Sequence, residues 1–143
     1  MAKFIVNAFS FDINTEGIPF TDVVKDKNSL GIYIQTLKNW GIVEGFKDGS
    51  FKPNTELKRG EASKFVVKAM EKKGIIIDYS LSNKFTDIKA DYTFYAYILF
   101  LANSKTKSNE VIISGYPDGK YKTEQILTRG ELSKIIWNST QYI

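Results

Sequence analysis

The sequence predicts a mainly α-helical protein in which two tandem helix-turn-helix units share one core, preceded by a short N-terminal β-strand. The first observation behind this prediction is an internal repeat. Residues 45–61, GFKDGSFKPNTELKRGE, return seventy positions later as GYPDGKYKTEQILTRGE, residues 115–131. The second is the three- and four-residue spacing of apolar residues on both sides of this turn, which is typical of amphipathic helices.

The repeat extends upstream of the turn with a different offset. FTDV at 20–23 matches FTDI at 85–88 with a shift of 65, so the second copy gains residues between its entry and its turn. The gain falls in the polar stretch 102–110, which we expect to be an inserted surface loop. The predicted organisation is an N-terminal segment 1–19, a first unit 20–72, a linker 73–84 and a second unit 85–143.

Each unit is expected to contain two helices. In the first unit one apolar face is formed by Leu30, Tyr33, Ile34, Leu37 and Trp40. The equivalent segment TFYAYILFLAN is apolar nearly all round and should be more deeply buried. The second helices begin at KRGE and TRGE. The later one carries a T-x-x-E capping box at Thr128 and Glu131, whereas Lys58 takes the capping position in the first copy.

Between the helices of each unit lies a DG turn. Glycine takes the positive φ that a tight turn requires and that strains other residues, so Gly49 and Gly119 should mark the turns. Phe51 and Tyr121 follow them and are expected to return to the core.

The N-terminal stretch FIVNAFSFDI has an alternating pattern. Ile5, Phe9, Phe11 and Ile13 share one parity, which predicts a strand. An isolated strand needs a sheet partner, and the rest of the chain offers none. We therefore expect this strand to pair with another subunit or another protein.

The composition argues against an enzyme. The chain has no cysteine and no histidine, which excludes disulfides, thiolate nucleophiles, Cys/His zinc sites and every Ser-His arrangement. The carboxylates are scattered singly and suggest no acid–base pair. We predict a non-catalytic protein with no catalytic residues, no metal site and no cofactor.

Charge and hydropathy limit the partners further. The net charge of +4 is spread along the chain, which favours an anionic partner mildly and does not resemble a nucleic-acid footprint. No segment approaches the roughly 18 apolar residues needed to cross a bilayer, and the N-terminus lacks the continuous apolar run of a secretory signal peptide. We expect neither a nucleic-acid partner nor a membrane partner.

The repeated residues resemble S-layer homology units. That family's pattern is an F-x-D-V entry, a helix ending in G-I, a G-Y-x-D-G-x-F-x-P turn and a helix opening with I-T-R-A-E. Here the first unit reads FTDV, WGIVEGFKDGSFKP and LKRGE, and the second reads FTDI, VIISGYPDGKYKT and LTRGE. The resemblance covers about residues 20–138.

The resemblance implies noncovalent attachment to an acidic, pyruvylated secondary polysaccharide of a bacterial cell wall. It implies that the arginine of the T-R-A-E segment binds the sugar, and a guanidinium suits this role because its planar fork grips a carboxylate. The entry aspartates and the turn aromatics are further candidates. The residues at these positions are Arg59, Arg129, Asp22, Asp87, Phe46 and Tyr116.

An alternative is a structural or assembly subunit of a phage virion or surface filament that reuses this scaffold for protein–protein contacts. The resemblance implies that three units normally pack together, so two leave one side of the bundle open. Self-association or a partner protein would then use that open side and the N-terminal strand. An intracellular inhibitor or adaptor that uses the open side of the bundle to bind a protein partner is a third alternative. The expected location is a bacterial cell surface or a virion.

Overall fold

The structure is a computed structural model that describes residues 1–26 and 28–142. It confirms the mainly α prediction. The helices of the described residues are α1 Ala2–Ala8, α2 Gly31–Asn39, α3 Arg59–Lys72, α4 Tyr95–Asn103 and α5 Arg129–Thr140. Extended pairing within these residues is limited to two isolated antiparallel bridges, Lys58 with Ile126 and Lys105 with Val111. The chain divides into two compact units, Met1–Glu56 and Leu57–Ile143.

The predicted N-terminal strand is wrong, because this segment forms α1 and packs against α2. Ala2, Ile5, Val6 and Phe9 recur with helical spacing, and all four are buried. The alternating interpretation left Val6 on the wrong side. A lone strand would also leave its backbone N–H and C=O groups without partners, whereas a helix satisfies most of them internally.

In the first unit, α2 holds the segment that precedes it. Ile34 and Leu37 are buried as predicted, but Leu30 is 63% exposed although its spacing placed it on the apolar face. The Thr36 hydroxyl accepts a hydrogen bond from the Asn14 backbone N–H at 3.1 Å. This contact ties the N-terminal segment to the buried face of α2.

The second unit is built on α3, which packs against both α4 and α5. In sequence α3 closes the first repeat, so the second helices of both repeats lie in the same core. Residues 98–102 of α4 are all buried, which agrees with the apolar character of that segment. The residues of α3 and α5 that are buried in the core include Ala62, Val66, Met70, Leu132, Ile135 and Ile136.

The helix starts differ as the sequence predicted. At α5 the Glu131 N–H donates to Thr128 Oγ1 at 3.2 Å, and the Thr128 N–H donates to Glu131 Oε2 at 2.9 Å. At α3 only the second half of this capping box is present, from the Lys58 N–H to Glu61 Oε2 at 2.9 Å. An ammonium has no acceptor to offer the first half.

Candidate functional site

A carboxylate at the entry of the first repeat holds the turn that follows α2. Asp22 Oδ1 accepts a hydrogen bond from the Phe51 N–H at 2.8 Å, and Oδ2 accepts one from the Lys52 N–H at 2.7 Å. Lys52 has φ 57°, a left-handed conformation that strains a non-glycine residue. The hydrogen bond from Phe51 is the main reason that the pKa of Asp22 lies below its ordinary value of 3.8. The carboxylate therefore stabilises the strained turn.

The second repeat builds the same arrangement. Asp87 accepts hydrogen bonds from the N–H groups of Tyr121 and Lys122, each at 2.8 Å. Lys122 has φ 60°, and the turn glycine Gly119 has φ 74°, as the DG pair predicted. Because both oxygens of Asp87 bind backbone groups, its first role is to shape the turn.

Each turn carries an aromatic ring with a lysine ammonium above it. Lys52 Nζ lies 4.3 Å from the ring centroid of Phe46, and Lys122 Nζ lies 4.2 Å from that of Tyr116. We call these the aromatic–lysine pairs. Such cation–π contacts hold a flexible ammonium in place at the surface. Phe46 is 50% exposed, so the first pair is open to solvent.

Arg59, the first predicted sugar-binding arginine, is only 6% exposed. Its Nε donates to the carbonyl oxygen of Tyr121 at 3.0 Å, and Nη2 donates to the carbonyl oxygen of Ser114. The guanidinium carbon lies 4.6 Å from the ring centroid of Tyr121 and 5.2 Å from that of Tyr116. This arginine therefore supports the second turn from inside the second unit.

Arg129, the second predicted arginine, begins α5 and is exposed. The two positions are equivalent in the repeat but differ in environment, because the start of α3 is enclosed by the second repeat.

The structure therefore groups five of the six predicted residues around the turns, whereas Arg129 begins α5. Asp22 and Phe46 belong to the turn of the first repeat. Arg59, Asp87 and Tyr116 belong to the turn of the second repeat. Asp87 also lines a surface pocket together with Lys89, Asp91, Tyr92 and Thr93.

Two lysines of the turns were not among the predicted residues. Lys52 and Lys122 occupy aligned positions in the two repeats, and this identity is the signal that could have singled them out. Their position over the rings depends on tertiary contacts with the entry aspartates, which no local pattern reveals.

Residues 138–140, Asn-Ser-Thr, fit the short N-x-S/T pattern of a glycosylation sequon, but Asn138 has a packing role. Asn138 is 6% exposed, and its Nδ2 donates to the carbonyl oxygen of Ile112 at 3.2 Å. The side-chain nitrogen that a glycan would require is thus enclosed and hydrogen-bonded.

Comparison with known families places these features in context. The model of the S-layer homology domain matches residues 19–63 and 84–133. The matches span more than half of the sequence, and the chain belongs to the S-layer homology family. This is a family of binding domains rather than catalytic ones, whose members bind cell-wall polymers, so the chain is in general terms a cell-wall or cell-surface binding module.

The search of curated proteins returned no match to this chain. Within the described residues, none of the helices combines the length and apolar character needed to span a membrane.

Proposed function

We propose that this module binds an acidic, pyruvate-bearing secondary polysaccharide of a bacterial cell wall and so attaches to the cell surface. The observation that carries the proposal is the aromatic–lysine pair, which recurs in both repeats on the same aspartate-supported turn. The face of an aromatic ring packs against the apolar side of a sugar ring, and an ammonium attracts a carboxylate. The pair thus offers both groups that an acidic sugar requires.

The individual residues divide into two roles. Phe46 and Tyr116 are proposed to contact the sugar, and Arg129 adds an exposed guanidinium suited to a ketal-linked carboxylate. Asp22 and Asp87 position the turns, as Arg59 does for the second turn. In this division Lys52 and Lys122 supply the cationic groups at the turns, and Lys122 Nζ also lies 3.3 Å from Asp118 Oδ2.

A binding assay with wall sacculi tests this function. The intact protein should pellet with purified bacterial sacculi that retain the secondary polymer and remain in solution with sacculi stripped of it. Sacculi whose polymer has lost its pyruvate should bind weakly. Equal pelleting with all three preparations would refute the proposal.

A charge-matched pair of variants locates the site. The double variant Lys52→Gln/Lys122→Gln removes the ammonium from both pairs and should weaken sacculus binding by about tenfold or more. Lys47→Gln/Lys120→Gln removes the same charge from neighbouring exposed positions of the same turns and should bind nearly as the parent does. Equal losses in the two variants would indicate nonspecific charge attraction.

A structural subunit of a phage virion or surface filament is the second candidate function. The exposed start of α5 favours it, since its counterpart in α3 is enclosed. The N-terminal strand is no longer part of this candidate, because residues 2–8 form a helix that packs on α2.

A further inference from the structure

One face of α5 is exposed although the equivalent face of α3 is buried. The residues of the α3 face are Arg59, Gly60, Ser63 and Val67, all of them buried. Their counterparts seventy positions later are Arg129, Gly130, Ser133 and Trp137, all of them exposed. Three of the four residue types are identical, and Trp137 leaves 65% of its surface exposed. The α5 face therefore carries nearly the same residue types as the α3 face but is exposed.

The partner of the α3 face is the second repeat. The Gly60 N–H donates to the carbonyl oxygen of Thr123 at 2.9 Å. Ser63 Oγ lies 2.6 Å from the Tyr121 hydroxyl oxygen. Ser63 donates its own proton to the Arg59 carbonyl oxygen, so the Tyr121 hydroxyl is the donor in this contact. A helix face of one repeat thus binds the turn of another repeat, largely through backbone groups.

Gly60 and Gly130, at equivalent positions of the two faces, differ in the space around them. A Cβ on Gly60 would lie 2.8 Å from the Tyr92 hydroxyl and 3.1 Å from Phe94 Cδ2, so a side chain at position 60 would force the Tyr92 side chain to shift. A Cβ on Gly130 would meet no atom nearer than 4.0 Å, at Thr128 Oγ1. Glycine in a helix is about 1 kcal/mol less favourable than alanine. Within the described residues no close contact explains why position 130 is a glycine. A second surface that approached Gly130 as closely as the second repeat approaches Gly60 would explain it.

The first repeat has a counterpart of the surface that the α3 face contacts. We call it the receiving surface, and it consists of the turn residues 44–56 and Leu30. Its turn has the same backbone bonding as the second, since the Phe46 N–H donates to the Ser50 carbonyl at 2.8 Å and the Tyr116 N–H donates to the Lys120 carbonyl at 2.8 Å. Tyr121 is completely buried, but its counterpart Phe51 is partly exposed.

An exposed apolar residue and the local charges complete this surface. Leu30, the counterpart of Phe94, is 63% exposed. Residues 44–56 carry three carboxylates and two lysines, a net negative charge. The start of α5 carries Arg129, Lys134 and the capping carboxylate of Glu131, which together have a net positive charge. The two surfaces are therefore complementary in charge.

We propose that the exposed α5 face of one copy of this chain docks on the first-repeat turn of a second copy, as the α3 face docks on the second repeat. The two surfaces differ, so the contact is heterologous and continues from copy to copy into a ring or a filament. This inference does not depend on polysaccharide binding.

Complementing variants test the arrangement by light scattering over a concentration series reaching the millimolar range. The parent chain should grow beyond twice its monomer mass. Ser133→Glu blocks the α5 face, and Leu30→Glu blocks the receiving surface; each side chain is exposed, so circular dichroism and thermal midpoint should stay close to the parent. Each variant alone should remain monomeric. An equimolar mixture should form a dimer that grows no further. The Leu30→Glu copy keeps its α5 face and the Ser133→Glu copy keeps its receiving surface, so only one contact between the two can form.

Other outcomes overturn the proposal. A parent chain that stays monomeric throughout the series excludes docking of a second copy. Assembly that persists in both variants assigns the contact to another surface. The exposed control Lys72→Glu should assemble as the parent does, and its failure to do so would attribute the effect of the acidic substitutions to charge alone.

Discussion

The guanidinium of Arg59 lies over the ring of Tyr121, 4.6 Å from its centroid, while Nε donates to the carbonyl oxygen of the same residue at 3.0 Å. One side chain thus holds both the backbone and the ring of a single turn residue. Burial also raises the pKa of the Tyr121 hydroxyl to about 12. The arginine that the family resemblance marks as a ligand is therefore, in this position, a support of the second turn.

Arg59→Ala should destabilise the protein strongly. It leaves the carbonyl oxygens of Ser114 and Tyr121 without their donor and removes a buried stacked group, for a loss of about 2–4 kcal/mol in the free energy of unfolding. Arg129→Ala, at the exposed equivalent position, should change it by no more than about 0.5 kcal/mol. Urea unfolding measures both, and equal losses would contradict the buried role of Arg59.

Gly60→Ala and Gly130→Ala should have opposite effects on stability. The new methyl group at position 60 is forced against Tyr92 and Phe94, which should cost about 1–3 kcal/mol. At position 130 the space is open, and replacing a helical glycine should stabilise the isolated chain by up to about 1 kcal/mol. Thermal unfolding of the two variants at low protein concentration checks the contrast. A destabilised Gly130→Ala variant would contradict the open space around that residue.

Acid should destabilise the fold through its capping and turn carboxylates. Hydrogen bonds from Phe51 and Thr128 hold the pKa values of Asp22 and Glu131 below their ordinary 3.8 and 4.5. The unfolded state then binds protons more readily than the folded state, so this stability is present above the ordinary values and is lost as the pH falls through the lowered ones. The urea midpoint should be flat near neutral pH and fall below about pH 4.5.

Asp22→Asn tests the contribution of the first turn to this acid dependence. The amide cannot accept both backbone hydrogen bonds, so the variant should be less stable at neutral pH than the parent. It has no carboxylate to protonate there, so its stability should also fall less steeply with acid. Parallel pH profiles for the variant and the parent would contradict the turn role of Asp22.

Ile5→Ala should show that α1 belongs to the core of the first unit. Ile5 is completely buried in the helix that packs on α2, and truncating such a side chain costs about 2–4 kcal/mol. Ile18→Ala, at a position 84% exposed, is the matched control and should leave stability nearly unchanged. A stable Ile5→Ala variant would mean that the N-terminal helix is dispensable.

Local patterns in the sequence predicted much of the fold. Helical periodicity, the DG turns and the capping box at Thr128 depend on neighbours within a few residues, and the structure has each of them. The prediction from local patterns was wrong for the N-terminal segment, because Ile5 and Phe9 fit both an alternating and a helical pattern. Packing against α2 decided between them.

The sequence by itself determined the mainly helical class, the two repeats, their turns and the family, since all of these are encoded in short-range spacing. The tertiary structure decided which copy of a repeated residue is buried. Arg59 and Arg129 have nearly the same local sequence, yet only Arg59 is enclosed, because a second repeat covers the start of α3. Burial depends on residues distant along the chain, so nearly the same motif is buried against a turn in one copy and exposed in the other.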